Sequence, residues 1–361
     1  MIKENAARPK GAASRTMKAL VKKSAAPGAE FGDAAAPRPK QDELLIKVHR
    51  ASICGSDMPI YGWTSWAPER LKLPLVFGHE FCGTVESAGA AAGDFKAGDF
   101  VSVESHIYCG RCEQCVGGQS HVCREMKIMG IDAPGGFAQY AVIPARCAWK
   151  HADERLKDWG SIMEPMGNAV YSVLVEPVAG KAVLVLGAGP QGLFAVAVAR
   201  ASGARAVVAV EGSPFRAELA RRMGAKAVVD PAGTDPLAAA LKAGGCPGGF
   251  DAVVEMSGAA QAISMGLKAA RPGGRMTAFG LPSKKIEIDW ASDVIFKGLR
   301  IHGIVGREVF GTWRMTEALL RSGAVDAGAV ITHVFPMKDF ARAFGEMAAP
   351  EKKCGKVVLV P

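Results

Sequence analysis

Aromatic residues are scarce in this chain, and an apolar segment typical of a secretory signal is absent from its beginning. Only 7% of the 361 residues are Phe, Trp or Tyr. The basic residues near the start are not followed by an apolar run, which argues against secretion. We find neither an internal repeat nor a low-complexity linker. With 49% hydrophobic and 22% charged residues, disorder is excluded for the bulk of the chain, and the length suggests two domains.

The formal net charge of +9 is concentrated near the N-terminus. Residues 1–23 contain seven basic side chains and one acid, a balance of +6, which leaves +3 for the other 338 residues. The bulk of the chain therefore lacks the charge excess of a nucleic-acid groove. We predict that residues 1–16 form a disordered basic extension, and we expect no nucleic-acid partner.

The longest uncharged apolar run, residues 182–199, is long enough to suggest a membrane span. It contains three glycines and a proline, so we interpret it as a buried strand, a turn and a helix, and we expect no membrane partner. The cysteine count is odd, nine, and four cysteines are closely spaced. This usage favours metal binding in a reducing compartment over disulfides, and we expect a cytoplasmic protein.

The apolar pattern changes near residue 167. Upstream, short strands alternate with glycine-rich turns, at residues 44–48, 81–85, 100–103 and 137–142. Downstream, buried strands alternate with helices, which is typical of a parallel doubly wound sheet. We therefore predict an α/β protein with a mostly β domain over residues 17–168 and a sheet domain over residues 169–305. Residues 306–361 are predicted to return to the first domain.

A glycine-rich turn, Gly187-Ala-Gly189-Pro-Gln-Gly192, follows the predicted strand 182–186 and begins the next helix. The motif alone also fits a turn without a cofactor, but this context favours dinucleotide binding. Gly187 makes the tight turn, Gly189 lets the backbone approach a pyrophosphate, and Gly192 lets the helix pack on the strand. The helix N-terminus then attracts the phosphates.

Glu211 lies at the end of the second predicted strand, residues 206–210, and 19 residues after Gly192. A carboxylate there can accept hydrogen bonds from the ribose hydroxyls of NAD, and it repels the 2′-phosphate of NADP. The sequence therefore predicts NAD as the cofactor. Arg216 could lie against the adenosine or be a solvated charge on the next helix.

Four cysteines, Cys109, Cys112, Cys115 and Cys123, follow the pattern C-x2-C-x2-C-x7-C. Such a cluster is typical of a closed tetrahedral zinc site that stabilises a loop. An iron–sulfur run requires a fourth cysteine four positions after the third, followed by proline, and this spacing differs. His106, just ahead of these cysteines, could approach a cleft.

A second group of metal-binding residue types is scattered along the chain. It consists of Cys54, His79, Glu80 and Glu164. A thiolate, an imidazole and a carboxylate can hold a catalytic zinc ion with one open position. Considered one at a time, Cys54 fits a buried small side chain and His79 fits a structural histidine. Their occurrence together with the cysteine cluster and the dinucleotide turn favours the metal site.

Together these motifs resemble the zinc-dependent medium-chain dehydrogenases over residues 17–361. The cysteine cluster and the Gly-His-Glu motif at residues 78–80 are common to that family. Residues 60–66, 164–169, 288–290, 294–298, 306–308 and 331–333 are most similar to its threonine dehydrogenase branch. The resemblance implies a GroES-like catalytic domain joined to a Rossmann coenzyme domain, an active site in the cleft between them, and commonly a homotetramer.

The resemblance also implies a set of site assignments. Cys54 and His79 would bind a catalytic zinc ion, with Glu164 or Glu80 completing the ligand set or exchanging in it. The four clustered cysteines would bind a second, structural zinc ion. Contacts to NAD would come from the three glycines of the turn and from Gln191, Glu211, Arg216, Phe279, Gly280, Leu281, Ile304 and Val305.

One departure from the branch concerns its proton relay. The branch has a histidine two residues after Cys-Gly-Thr/Ser-Asp, and this chain has Pro59 there, although Ser56 keeps the first hydroxyl. The resemblance implies oxidation of a secondary alcohol by zinc and NAD, with Ser56 taking the proton and passing it to ribose and water. L-Threonine would give 2-amino-3-oxobutanoate. A polyol or hydroxy-acid dehydrogenase is the alternative that Pro59 favours, and a zinc-bearing structural or nucleic-acid-binding protein is the non-enzymatic one.

Overall fold

The structure, a computed structural model, describes residues 15–361. Short strands separated by turns make up its first part. The strands are β1 (Thr16–Lys22), β2 (Glu30–Ala35), β3 (Glu43–Ser52), β4 (Leu75–Val76), β5 (Glu80–Ala88), β6 (Phe100–Val103), β7 (His106–Ile107), β8 (Lys127–Ile128), β9 (Tyr140–Pro144) and β10 (Ala148–Lys150). The short helices are α1 (Asp57–Gly62), α2 (Ala67–Arg70) and α3 (Glu113–Val116). Most of the predicted extension lies outside the described residues, but Thr16 begins β1 and so belongs to the folded body.

The second part alternates strands and helices, as the sequence pattern predicts. Its elements are α4 (Met163–Leu174), β11 (Ala182–Leu186), α5 (Pro190–Ala201), β12 (Ala206–Val210), α6 (Pro214–Arg222), β13 (Ala227–Val229), α7 (Pro236–Gly244), β14 (Phe250–Glu255), α8 (Ala260–Ala269), β15 (Ala270–Ala278) and β16 (Arg300–Gly303). All strand pairs are parallel, in the order β13-β12-β11-β14-β15-β16. This is the Rossmann order, in which a nucleotide binds at the carboxyl ends near the reversal between β11 and β14.

The end of the chain returns to the first part. Its elements are α9 (Gly311–Arg321), β17 (Ile331–Pro336), α10 (Phe340–Ala348) and β18 (Lys356–Val360). Strand β18 pairs with β17 and with β3, and the resulting sheet has the order β10-β6-β5-β3-β18-β17, with β9 also on β3. The last strand therefore lies beside the strand that leads to Cys54.

Burial explains why these segments fold as they do. Strands β11 and β12 are buried at every residue because helices cover both faces of the sheet. Helix α4 is buried at ten of its 12 residues and packs between α5 and α9, so it holds the residues on its first turn firmly. None of the helices in the described range is long and apolar enough to cross a bilayer.

The strand predicted at 137–142 is shorter in the structure, where β9 begins at Tyr140. Phe137 is apolar because it packs edge-on against Phe77, at 5.1 Å between ring centroids. Its backbone N–H donates a hydrogen bond to Phe77 O, and its carbonyl oxygen accepts one from the Leu20 N–H. These are isolated hydrogen bonds and not part of a continuous strand pairing. Apolar character therefore extended the predicted strand by three residues.

Candidate metal centre and dinucleotide cleft

Strand pairing brings together Cys54, His79 and Glu80, which sequence spacing leaves apart. Strands β3 and β5 are antiparallel neighbours, and Ser52 pairs with Glu80 in their register. The turn after β3, which carries Cys54, therefore lies next to the first residues of β5. One ligand atom from each of the three residues lies within 4.8 Å of the others, a grouping that can surround a single cation.

The carboxylate of Glu80 is held by one oxygen only. Its Oε2 accepts a hydrogen bond from Ser52 Oγ and contacts the ammonium group of Lys356. Its Oε1 is buried and has no hydrogen-bond partner among the described residues. Burial raises the pKa of Glu80, and Lys356 offsets this only in part. An unpartnered carboxylate oxygen is costly in a protein interior, and a cation between Glu80, Cys54 and His79 would satisfy it.

His79 lies in an acidic environment. Asp57 Oδ1 is 3.5 Å from His79 Nδ1, and Asp57 Oδ2 accepts a hydrogen bond from the Cys54 amide at 2.8 Å. Burial lowers the pKa of His79, but Asp57 and Cys54 outweigh this and hold that pKa well above its usual range. Ser56 Oγ lies 3.5 Å from His79 Nε2. The potential here favours a positive charge, and a hydroxyl lies beside the cluster.

Glu164 is close to this cluster but is not among the three residues grouped within 4.8 Å. It lies in the first turn of α4 and is buried. Its Oε1 accepts a hydrogen bond from Ser105 Oγ at 2.7 Å and lies 3.0 Å from Arg307 Nη1. Of the two carboxylates that the sequence left open as the third ligand, Glu80 is thus the one that the structure groups with Cys54 and His79.

The four clustered cysteines converge around a point near α3. Their ligand atoms lie within 4.8 Å of one another, with sulfur–sulfur distances of 3.5 Å for Cys112–Cys115 and 3.8 Å for Cys112–Cys123. Sulfurs bound at about 2.3 Å to one tetrahedral zinc ion would be about 3.8 Å apart. Backbone hydrogen bonds lower the pKa of Cys112 to about 6, which favours the thiolate that a metal requires.

The glycine-rich turn lies at the carboxyl end of β11 and begins α5. Gly187 has φ +86°, and a Cβ there would lie 2.8 Å from Ser257 Cβ. A Cβ on Gly192 would lie 1.8 Å from Gly187 O, so the helix could not pack on the strand. A Cβ on Gly189 would meet only the tip of Arg216, at 3.8 Å. The three glycines thus leave the approach to the helix N-terminus open.

Glu211 is fixed at the end of β12 by backbone groups. Its Oε2 accepts from the Ala188 amide and its Oε1 from the Ser213 amide, both at 2.8 Å. Arg216 donates from Nε to Cys354 O at 2.9 Å, and its tip faces the glycine-rich turn. The carboxylate and the guanidinium therefore both lie beside the glycine-rich turn, and Arg216 is not merely a solvated helix charge.

The remaining residues predicted to contact the dinucleotide also follow carboxyl ends of this sheet. Gln191 lies in the first turn of α5, and its amide oxygen is buried without a partner in the described chain. Phe279, Gly280 and Leu281 follow β15, and Leu281 is 92% exposed. After β16 come Ile304, which is buried, and Val305, which is half exposed.

The chain matches two known protein domains and several proteins of known activity. Residues 40–153 match the alcohol dehydrogenase GroES-like domain, and residues 190–322 match the zinc-binding dehydrogenase domain. The chain is 46% identical over 347 residues to an L-threonine 3-dehydrogenase of Bacillus licheniformis, which covers 96% of this chain and 99% of that protein. It is 45% identical over 350 residues to one of Bacillus subtilis, with coverage of 96% and 99%. The chain belongs to the zinc-dependent alcohol dehydrogenases.

A solved structure agrees with this family membership. A protein described as a zinc-binding dehydrogenase, from Sinorhizobium meliloti and bound to NADP, superposes with a TM-score of 0.87 at 31% identity. The match covers 96% of this chain and 100% of that one. The family resemblance and the predicted GroES-like and Rossmann fold are therefore confirmed. The protein is a zinc-dependent oxidoreductase that acts on a small-molecule alcohol with a nicotinamide dinucleotide.

Several residues at this dehydrogenase site were missed by sequence reasoning. They are Asp57, Glu104, Ser105, Asn168, Arg307 and Lys356. Arg307 is part of the Gly-Arg-Glu segment that marks the threonine dehydrogenase branch, so its motif was a usable signal. Lys356 carries no signal, because an isolated lysine before a final strand looks like an exposed charge. His106, which the sequence left as a residue that could approach a cleft, is buried, and its Nδ1 lies 2.9 Å from Glu104 Oε1.

Proposed function

We propose that this dehydrogenase oxidises L-threonine at its secondary hydroxyl to 2-amino-3-oxobutanoate, with NAD as the oxidant. The observation that carries the proposal is the grouping of Cys54, His79 and Glu80 within 4.8 Å. The substrate follows from two L-threonine 3-dehydrogenases that are 46% and 45% identical over nearly the whole chain. In the reaction the carbon atom gives up a hydride and the hydroxyl a proton.

Zinc fits the donor set of the cluster. A thiolate, an imidazole and a carboxylate provide three ligands and leave a fourth position for an alcohol oxygen. Glu80 Oε1, buried and unpartnered among the described residues, marks the side on which a cation would be held. When bound, a zinc ion acts as a Lewis acid that lowers the pKa of a hydroxyl group. Asp57 Oδ1 lies 3.5 Å from His79 Nδ1, and neither atom has a hydrogen-bond partner among the described residues; with the metal bound, Asp57 would orient the ring, as carboxylates commonly do for metal-binding histidines.

A second zinc ion per chain would be held by the four clustered cysteines. Their spacing is that of a closed site without an open position, so this metal would stabilise the loop around α3 and take no part in chemistry. Backbone amides of residues 111, 112 and 125 already point at the sulfurs of Cys109 and Cys123.

Ser56 is the group that we propose takes the proton. Its hydroxyl lies next to His79 at the edge of the cluster, where it can accept a hydrogen bond from an alcohol. Pro59, in α1, has no side-chain base to which Ser56 could pass the proton. We therefore propose that the proton leaves Ser56 through the ribose and water.

NAD is preferred over NADP in this proposal because of Glu211. Its carboxylate is fixed by two backbone amides, and it would accept from both ribose hydroxyls and repel a 2′-phosphate. The phosphates would lie on the N-terminus of α5, beside Gln191 and Arg216. Residues 279–281 and 304–305 would line the nicotinamide end, where a bound NAD would accept the hydride.

A second candidate is a polyol or hydroxy-acid dehydrogenase, because Pro59 departs from the relay of the threonine dehydrogenase branch. One panel separates the two candidates. NADH formation would be followed by its absorbance with L-threonine, other amino alcohols, polyols and hydroxy acids, with NAD and NADP in parallel. Turnover of threonine with NAD is expected. No turnover of threonine with clear turnover of another alcohol would overturn the substrate assignment.

We propose further that the chains form a homo-oligomer, a tetramer by family expectation, through the edge of the parallel sheet. Among the described strands, β16 pairs only with β15. Exposed apolar side chains occur on β16 and in the segment before it, at Trp290, Ile295, Phe296 and Ile301. Open edges and apolar patches of this kind are usually covered by a partner. Light scattering should show an oligomer and a smaller species for Ile301→Glu, and a monomeric parent would contradict this.

We propose domain limits at residues 17–168, 169–305 and 306–361. We also propose a cytoplasmic location, because all nine cysteines are free thiols in the structure, which is consistent with a reducing compartment.

A further inference from the structure

Arg307 lies in the segment between β16 and α9. Its side chain is fully buried. Two glycines make room for this segment. A Cβ on Gly167 would lie 2.8 Å from Arg307 Cδ, and a Cβ on Gly306 would lie 2.4 Å from His106 Cε1. The path of the arginine is therefore fixed by close packing against α4 and β7.

Every nitrogen of the guanidinium group has a partner. Nε donates to Glu104 Oε2 at 2.8 Å, and Nη2 donates to Glu104 Oε1. Nη1 donates to Asn168 Oδ1 at 2.8 Å, and Nη2 donates to Ser105 Oγ at 3.0 Å. Glu104 is held in turn by the indole N–H of Trp313 at 2.8 Å. Such a bidentate, fully buried pair fixes the orientation of the arginine.

The same guanidinium group holds Glu164 in two ways. Arg307 Nη1 lies 3.0 Å from Glu164 Oε1. Ser105, which accepts from Arg307, donates its own hydroxyl proton to that same oxygen at 2.7 Å. Both contacts draw Glu164 Oε1 towards the arginine.

The two carboxylates at the site are thus restrained differently. Lys356 contacts Glu80 Oε2 and leaves Oε1 unpartnered beside Cys54 and His79. Arg307 and Ser105 engage Glu164, which is outside the group of ligand atoms within 4.8 Å. The positions of the Lys356 ammonium group and the Arg307 guanidinium group therefore decide which carboxylate faces the cluster.

We propose that Arg307 is a positioning residue that holds Glu164 out of the ligand set, directly and through Ser105, so that Glu80 completes it. This inference rests on the proposed function only in so far as a divalent cation binds at Cys54, His79 and Glu80. Arg307 does not act as a substrate-binding group in this role, because its nitrogens are already engaged.

Cobalt(II) spectroscopy without cofactor or alcohol tests this, because the absorption of cobalt reports its ligands and geometry. The protein is reconstituted with Co²⁺, and the spectrum of Cys54→Ala, which keeps the four-cysteine site, is subtracted. Arg307→Met should weaken the d–d absorption of the remaining site, since Glu164 becomes free to join as an additional ligand. The double variant R307M/E164Q should restore the parent spectrum. Ser105→Ala, a smaller change, should give a weaker shift in the same direction and serves if R307M does not fold.

A matched control is Arg275→Met. Arg275 is also fully buried, but it donates to the carbonyl oxygens of Val173 and Glu176 and not to the site. It should lose fold stability without a change in the cobalt spectrum. The inference is overturned if R307M or S105A leaves the spectrum unchanged, if E164Q does not reverse the change, or if R275M causes the same change. It is also overturned if R307M only raises the KM for alcohol, which would indicate substrate contact. Failure of the proposed function looks different: the parent and C54A spectra would then coincide.

Discussion

The ammonium group of Lys356 and the carboxylate of Glu80 form a buried ion pair that joins the last strand of the chain to the metal cluster. Both side chains are buried. Lys356 begins β18, which lies beside β3, and Glu80 begins β5 on the other side of β3. A residue near the C-terminus thus contacts a cluster whose three residues, Cys54, His79 and Glu80, come from the first quarter of the chain.

Replacing Lys356 by Met would leave Glu80 buried without its cation. Removal of one partner from a buried ion pair costs about 3–5 kcal/mol. We expect metal-free K356M to lose about this much free energy of unfolding in urea, and K356M/E80Q to recover part of it. Lys353→Met removes an exposed charge three residues away and should change stability by less than about 0.5 kcal/mol. Equal stability of K356M and the parent would show that the pair contributes nothing.

Replacing Pro59 by His would supply the side-chain base that the relay lacks. General bases typically contribute about 10²–10⁴-fold to a rate. We expect P59H to raise kcat near neutral pH by an amount towards the low end of that range, and to change the pH–rate profile. Pro59→Ala controls for loss of the proline ring and should not show this gain. An unchanged profile in P59H would mean that the proton takes another route.

Replacing Glu211 by Gln would remove the charge that faces the ribose. Hydrogen bonds to charged groups contribute about 1.5–3 kcal/mol, which corresponds to roughly a 10- to 100-fold rise in KM for NAD. The KM for NADP should fall at the same time, because repulsion of the 2′-phosphate is relieved. Steady-state kinetics with both cofactors measures this. Glu218→Gln, on the exposed face of α6, should change neither value, and equal cofactor preference in E211Q and the parent would refute the role of Glu211.

Glu104 makes stability depend on pH in acid. Burial raises the pKa of Glu104, but Arg307 and His106 outweigh this and lower that pKa to about 2, from 4.5 in an unfolded chain. A depressed pKa stabilises the fold above pH 4.5, and the contribution is lost as the pH falls towards 2. At 1.36 kcal/mol per pKa unit, the contribution is about 3 kcal/mol.

Unfolding of the metal-free protein in urea as a function of pH measures this effect. Glu104→Gln should flatten the loss of stability between pH 4.5 and 2, because no proton is then taken up at this position. The parent and E104Q should therefore differ most at neutral pH and converge in acid. Curves that run parallel over this interval would contradict the assignment.

The parallel sheet could be predicted closely because its signals are local. The strands predicted at 182–186 and 206–210 coincide with β11 and β12, since an apolar run between glycine-rich turns leaves few alternatives. The strands of the first part were harder to predict from the sequence. Apolar residues there also pack in the core without belonging to a strand, as those just before Tyr140 do.

The grouping of Cys54 and His79 could be predicted only from their occurrence together with the cysteine cluster and the dinucleotide turn, and from family resemblance. Cys54 and His79 are separated by a strand and two short helices, so no period or spacing connects them. The burial of Glu104 and Lys356 and the contacts of Arg307 could not be predicted, because charged residues are seldom buried unless they are paired and the pairing partners lie on distant segments. The structure supplies those pairings, and with them the distinction between Glu80 and Glu164.

The most direct test of the account measures zinc per chain together with NADH formation from L-threonine in the parent and in Cys54→Ala. The account predicts two zinc ions in the parent and one in C54A, which should form no NADH but still bind it. Cys246→Ala, at a buried cysteine near β14, should keep both zinc ions and the activity. A C54A protein that keeps two zinc ions and oxidises threonine at the parent rate would contradict the account.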